Sequence, residues 1–472
     1  MKYIKYLLPI ALISLFLFLR FYNIKNGLFF FNDMGRDLLV LQNWQLSGKP
    51  PLLGPQTSVL PFNQSSIYFY YLYIFYLITK GSVFSALFAN AFLYIAMYIF
   101  GLYIFKKDKK ITNLLNIAFF LISIHPQYII QSRFVWNPSL VTPFILSSFF
   151  AFHLLNQKYS KSRLWFFSLS IATAISISYS VIPLFIALIF YWLIFNRKNF
   201  WKLFISISIS LLTLNLTTII FELRHNFLLT RSILTRPPLP QLAIGFYQKF
   251  SDLSRFVVNT SFQNTNQIIL LFFVFLSIFL IIKGFKSTSR QKNIDFFINT
   301  IFFFTFLTYM ILPVSIQAHY VFPQISLLFL VIATLPIKKS LVIILILSFI
   351  YLSPSNLTQY FQKAPRTYAQ MEKCFIDYCK INQEPINVAV TIDKYTFIHN
   401  GPEHRYLLKK TGCDVKNLEE GQKTKKMALV LDSGSFDPVK SKFYELDLFG
   451  PYKIGDTYNC LSNFKIINLL SK

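Results

Sequence analysis

Long apolar runs, most of them about the length of a helix that crosses a bilayer and separated by polar or basic residues, constrain this chain more than any other feature. A helix needs ~20 largely apolar residues to cross the hydrocarbon core. Such runs lie at about 6–23, 82–105, 111–130, 139–156, 163–178, 180–195, 200–221, 267–285, 294–313, 319–335 and 339–353. They predict an all-α polytopic membrane bundle of about eleven transmembrane helices. The pair between Arg163 and Asn196 also reads as one long tilted helix. Block 66–79 is apolar but short and rich in tyrosine, which favours the interface, so it is expected at the outer membrane face. Composition agrees: 54% of the 472 residues are hydrophobic and only 14% charged, against roughly a quarter charged in a soluble domain.

Charge sets the expected orientation. The net charge of +27 does not point to nucleic acid, because the basic residues sit in short loops beside apolar runs rather than on a soluble face. With Lys2 and Lys5 inside, the clumps Lys106/Lys107/Lys109/Lys110, Lys158/Lys161/Arg163, Arg197/Lys198/Lys202, Lys283/Lys286/Arg290/Lys292 and Lys338/Lys339 also fall inside, as the positive-inside rule asks. A span at 66–79 would break that agreement. The N-terminus is therefore expected in the cytoplasm, and the protein in the plasma membrane as a multi-pass chain. No small-x-small cleavage site follows the first run, so it is expected to stay as a span.

Three external segments are long: 24–81, 222–266 and everything after about 354; 131–138 and 314–318 are short turns. Near residue 356 the texture changes. Charges become dense, strands are expected at 387–392 and 427–431, and helices at 368–380 and 404–410. The expected division is a transmembrane domain at 1–355 and a small extracytoplasmic α/β domain at 356–472. All four cysteines, Cys374, Cys379, Cys413 and Cys460, lie in the second. An external compartment permits disulfides, with pairing open. Zinc is disfavoured, because no Cys-x-x-Cys pair occurs.

The first external loop carries the most chemistry. It reads Asp33-Met34-Gly35-Arg36-Asp37, continues through Leu38, Leu39, Leu41, Gln42 and Trp44, and turns at Gly48-Lys49-Pro50-Pro51-Leu52-Leu53-Gly54-Pro55. Asp33 and Asp37, four apart, share one face of a helix with Arg36 beside them, and the apolar spacing predicts an amphipathic helix on the membrane surface. A carboxylate there can take a proton from a hydroxyl attacking a lipid-linked donor. Asp33 equally suits a helix cap, and Asp37 a partner for Arg36 or a lysine.

Asp33-x-x-Arg36 after a first span, followed by that Gly/Pro turn, resembles the GT-C fold glycosyltransferases, and most nearly the family 39 type: protein O-mannosyltransferases and lipid A aminoarabinose transferases. The resemblance covers about residues 1–350. It implies that Asp33 is the catalytic base. Met34 stands where the family usually has a Glu, and Asp37 is the candidate substitute for that second carboxylate.

Other residues expected on the same side extend the candidate site: Arg133, Trp136 and Asn137 in one turn, Glu222, Arg224, His225 and Arg231 in the large loop, and His319 and Tyr320 at a later span. Guanidinium groups stabilise phosphate oxygens through paired, charge-assisted hydrogen bonds, so Arg36, Arg133, Arg224, Arg231 and His225 are candidate phosphate contacts. The plainer roles are a snorkelling arginine, an interface anchor for Trp136 and a helix start at Asn137-Pro138.

The expected function is an inverting glycosyltransferase that moves a sugar from a polyprenyl-phosphate donor to a hydroxyl of a glycan, lipid or protein acceptor. No cofactor is required, and a divalent metal is neither required nor excluded. A transporter or lipid-linked-glycan flippase would carry inverted repeats with Gly/Pro-broken helices, and this sequence shows no such pairing. A polysaccharide polymerase or ligase would use Arg-rich loops without a first-loop carboxylate. An oligosaccharyltransferase would carry Trp-Trp-Asp in its C-terminal domain, yet Trp44, Trp136, Trp165, Trp192 and Trp201 all precede it. A bundle of this size exceeds what anchoring a binding module needs.

Overall fold

Every expected span contains a helix in the computed structural model, which describes all residues except 1–3, 29, 58–62, 196, 236–244, 264–265, 286–293, 313–315, 362–366, 393–400, 433–435, 437–443 and 462–463. Lys286, Arg290 and Lys292 of one basic clump fall outside the described residues. Among the described residues, helices Ser85–Ile104, Asn137–Gln157 and Ile294–Ile311 are long and apolar enough to cross a membrane. The number rises to five if each of two bent pairs is one span. Shorter apolar helices Leu7–Phe21, Ile268–Gly284 and Ala318–Thr334 hold other expected spans, and block 66–79 contains the apolar helix Ile67–Ile78. Lys161–Ile177 and Ile182–Phe195 are separate helices, because Ser178 is extended and its hydroxyl caps the turn that follows. Run 111–130 is bent by 66° between Lys109–Ile124 and Pro126–Arg133, since proline holds the preceding His125 in extended backbone.

Two compact units make up the chain. The first holds Met1–Tyr22, Pro51–Leu72 and Leu87–Tyr360; the second holds Asn23–Pro50, Tyr73–Ala86 and Phe361–Lys472. The boundary therefore differs from the expected one at 355/356: most of the first external loop groups with the C-terminal segment.

In the first unit, 78% of the Asn137–Gln157 window and 72% of the Ile294–Ile311 window are buried against 39% for Ser85–Ile104, which makes the first two central and the third peripheral. Large apolar side chains stay exposed on outer helices, among them Phe92, Phe275, Phe279 and Phe349. Exposed apolar faces of this extent suit a lipid environment, and they fit an integral membrane protein. Strands β1 (Leu53–Gln56) and β2 (Asn63–Ser65) form an antiparallel pair. A Cβ on Gly54 would run into the carbonyl of Ser65, so the crossing requires glycine.

In the second unit, helix Asn32–Ser47 buries Met34, Gly35, Asp37, Leu38, Leu41 and Gln42, a stripe at helical spacing. It ends at Gly48, which takes the left-handed conformation at φ 69° and donates its N–H to Trp44 O at 2.9 Å. The C-terminal segment builds a four-stranded sheet from β3 (Ile386–Ile392), β4 (Lys426–Asp432), β5 (Tyr452–Leu461) and β6 (Phe464–Ser471), in the order β3-β4-β6-β5. β3 and β4 are parallel; the other pairs are antiparallel. Met427, Leu429, Leu431, Leu469, Phe449 and Ala389 close one core beside it. Helices Tyr368–Ile381 and Pro402–Lys410 pack in the same unit. Cys374 bonds Cys460 and Cys379 bonds Cys413, with Cα separations of 5.4 and 5.1 Å, inside the range a disulfide spans.

Candidate functional site

The carboxylates of the first loop are organised by one arginine. Helix Asn32–Ser47 starts after an extended Phe31 and has no side-chain cap, so Asp33 is not the cap. It lies in the first turn, where the helix dipole favours negative charge. Arg36 Nη1 donates to Asp33 Oδ1 at 2.6 Å, while its Nε and Nη2 donate to Asp37 Oδ1 at 2.9 and 2.7 Å. The Asp37 side chain is 2% exposed; Asp33 is 26% exposed and Arg36 33%. Asp33 is therefore the carboxylate open to solvent, and Asp37 the buried anchor of the guanidinium.

In the same unit a cluster lies where the sequence pattern marked only a helix. Glu403 and His404 are fully buried at the start of Pro402–Lys410, and Asp432 ends β4 with 3% exposure. His404 Nε2 stands 3.1 Å from Asp432 Oδ2, and Nδ1 stands 3.4 Å from Glu403 Oε1. Burial works against charge on this imidazole, but Glu403 and Asp432 outweigh it and hold its pKa above the ordinary histidine value. Polar residues 28 positions apart leave no local signature. The only hint was the Gly401-Pro402 helix start, with Gly401 left-handed at φ 58°.

In the first unit, Arg133 is 4% exposed and donates to Leu19 O at 3.2 Å and Tyr22 O at 2.9 Å. Arg20 donates to Ile122 O at 3.1 Å and Ser123 O at 2.9 Å. Arg133 thus satisfies bare carbonyls at the end of helix Ile4–Phe21, which carries Arg20, and Arg20 satisfies those at the end of Lys109–Ile124. The described bonds of Arg133 are structural, in contrast to the anion contact expected of it. Trp136 donates its indole N–H to Gln131 Oε1 and meets the His319 ring edge-on, centroids 4.8 Å apart. His319 in turn packs against Tyr320 at 4.3 Å. Asn137 Nδ2 donates to Gln64 Oε1 at 2.5 Å and to Ile177 O at 3.0 Å, which ties β2 to the end of helix Lys161–Ile177.

The large loop divides its residues differently. Glu222 accepts from Leu229 N at 2.9 Å, Thr230 N at 3.0 Å and Thr230 Oγ1 at 2.5 Å. It caps helix Leu228–Thr235. The turn that allows this puts Asn226 and Phe227 at φ 52° and 59°. Arg224, His225 and Arg231 are exposed, with His225 stacked on Phe221 at 4.1 Å. Among the described residues no group of three or more His, Cys, Asp or Glu is placed to hold a metal ion.

Compared with solved structures, the chain is similar to ArnT from Cupriavidus metallidurans bound to undecaprenyl phosphate. The TM-score is 0.63 at 10% identity, covering 97% of each chain. The fold is that of ArnT. The apo form of ArnT gives a TM-score of 0.60 at 9% identity, again over 97% of each chain. No protein-family model and no curated protein sequence matches the chain. The resemblance drawn from the sequence is thus borne out in fold, because ArnT has a GT-C fold.

Proposed function

We propose that this chain is an inverting glycosyltransferase that moves one sugar from a polyprenyl-phosphate donor to an acceptor hydroxyl at the external membrane face. The observation that carries the reading is Asp33, a partly exposed carboxylate in the first turn of the loop helix, held by Arg36 at 2.6 Å. The ArnT fold supports a lipid-linked donor, since that neighbour was crystallised with undecaprenyl phosphate. In the reaction the acceptor oxygen forms a bond to the anomeric carbon as the bond to the phosphate oxygen breaks. Asp33 takes the hydroxyl proton, a task worth ~10²–10⁴ in rate. The electron pair leaves on the phosphate, where Arg36, beside Asp33 on the loop helix, is the candidate cation. The about eleven spans, the cytoplasmic N-terminus and the outward C-terminal segment belong to the same proposal.

The test is sugar transfer from a panel of radiolabelled polyprenyl-phosphate sugars by purified protein in lipid, with and without chelator, alongside Asp33→Asn. Transfer by the wild type and not by the variant supports the reading and identifies the sugar. Equal transfer by both, or none from any donor by folded wild type, overturns it.

A further inference from the structure

Gly35 sits inside helix Asn32–Ser47, where glycine is about 1 kcal/mol worse than alanine. A close approach explains it. A Cβ built on Gly35 would strike the main-chain nitrogen and Cα of Glu403, so the two helices touch backbone to backbone. Further along, Lys409 Nζ donates to Asn43 Oδ1 at 3.1 Å. The pairs Gly35/Glu403 and Asn43/Lys409 run in the same order along both helices, so the contact extends for about two turns. Tyr406, from the same face, meets the Phe30 ring at 6.0 Å and donates its hydroxyl to Gly81 O. Helix Pro402–Lys410 is itself fastened to the sheet through His404, which lies between Glu403 and Asp432 at the end of β4. An unbroken line of contacts therefore runs from the central sheet to the turn that carries Asp33.

We infer that Glu403, His404 and Asp432 are positioning residues: through the Gly35 contact they fix the helix that presents Asp33 and Arg36, and so set the rate of transfer rather than the binding of donor. The inference rests on Asp33 being the base. A misplacement of about 1 Å in a reacting group costs roughly 10²-fold in rate, and a methyl group wedged between Gly35 and Glu403 displaces the helix by that order.

The experiment compares wild type with Gly35→Ala, Asp432→Asn and, as a control on an exposed ion pair of the same unit, Asp377→Asn. Two readouts are taken on the full-length protein in lipid: kcat and KM for the donor, and hydrogen–deuterium exchange of residues 32–47 and 368–381. Gly35→Ala and Asp432→Asn are expected to lower kcat at least tenfold, with KM for the donor within about twofold. Exchange over 32–47 is expected to rise while 368–381 stays protected, and Asp377→Asn is expected to match wild type in both. Unchanged exchange over 32–47 in Asp432→Asn overturns the inference, as does raised exchange with kcat retained. If Asp432→Asn does not fold, His404→Gln takes its place under the same criteria. If folded wild type transfers no sugar, the proposed function falls. The exchange data then decide alone whether the sheet holds the loop helix: a rise confined to 32–47 supports the coupling and its absence removes it.

Discussion

Asp33 and Asp37 bind one guanidinium from positions a single helical turn apart, each through its Oδ1, with the first partly open to solvent and the second closed off. Their roles should separate on mutation. Asp33→Asn is expected to cut kcat by ~10²–10⁴ while leaving the folded fraction unchanged. Asp37→Asn is expected to lose less activity and more stability, on the order of 1–3 kcal/mol, because it weakens a buried charge-assisted bond. Steady-state kinetics and thermal unfolding on the same preparations separate the two.

Reduction should strike the second unit. Its two bridges enclose chain separations of 86 and 34 residues, and each is expected to contribute roughly 3–5 kcal/mol through loop closure. Non-reducing digestion should yield Cys374 joined to Cys460 and Cys379 joined to Cys413. Chymotrypsin is the suitable protease, because cleavage after Phe375 or Tyr378 parts the two cysteines of helix Tyr368–Ile381. Cys374→Ser or Cys413→Ser should lower the unfolding temperature, and recovery of peptides joined in the other pairing would contradict the structure.

The buried imidazole gives the second unit a pH dependence of definite sign. His404 has its folded pKa raised above the usual 6.5, so protonation stabilises the fold. The contribution is complete below about 6.5 and is lost as pH rises through the higher folded value. Thermal unfolding followed from about pH 6 to about pH 9 should therefore show a falling midpoint, and Asp432→Asn should flatten the slope. A midpoint that rises over that interval would show the imidazole to be neutral in the folded state.

Orientation is checked by labelling. Single cysteines at Lys107 and Lys198 are expected to resist an impermeant maleimide applied from outside, whereas one at the exposed Gln45 is expected to react. The reverse pattern would invert the topology drawn from the basic clumps.

Much of the architecture was legible, for identifiable reasons. Apolar runs of bilayer length located helices such as Ser85–Ile104 and Ile294–Ile311, and the spacing of Leu38, Leu41 and Gln42 marked the loop helix with its two carboxylates. The break at His125 was missed, because a proline inside an apolar run weighs little in a pattern read for hydrophobicity, whereas runs 163–178 and 180–195 already part at Ser178. The engagement of Arg133 was hidden for another reason. Its partners are main-chain carbonyls more than 100 residues away, and carbonyls have no residue identity. Glu222 read as a ligand contact because its cap depends on a left-handed turn that includes Phe227, a residue type that seldom announces one. The cluster at His404 joins a helix start to a strand end, and only the sheet brings them together.

The strand order has a consequence for how such a chain comes into being. β6, residues Phe464–Ser471, pairs with both β4 and β5, so the sheet cannot close before β6 has been made and delivered. Helix Asn32–Ser47 belongs to the same compact unit, although the ribosome finishes it more than 400 residues earlier. Its carboxylates therefore wait for β6 through the synthesis of everything between them. A stop before β6 would leave the apolar helices that precede it made and the sheet unfinished, so that delivery of this strand, and not insertion of those helices, decides when the second unit closes.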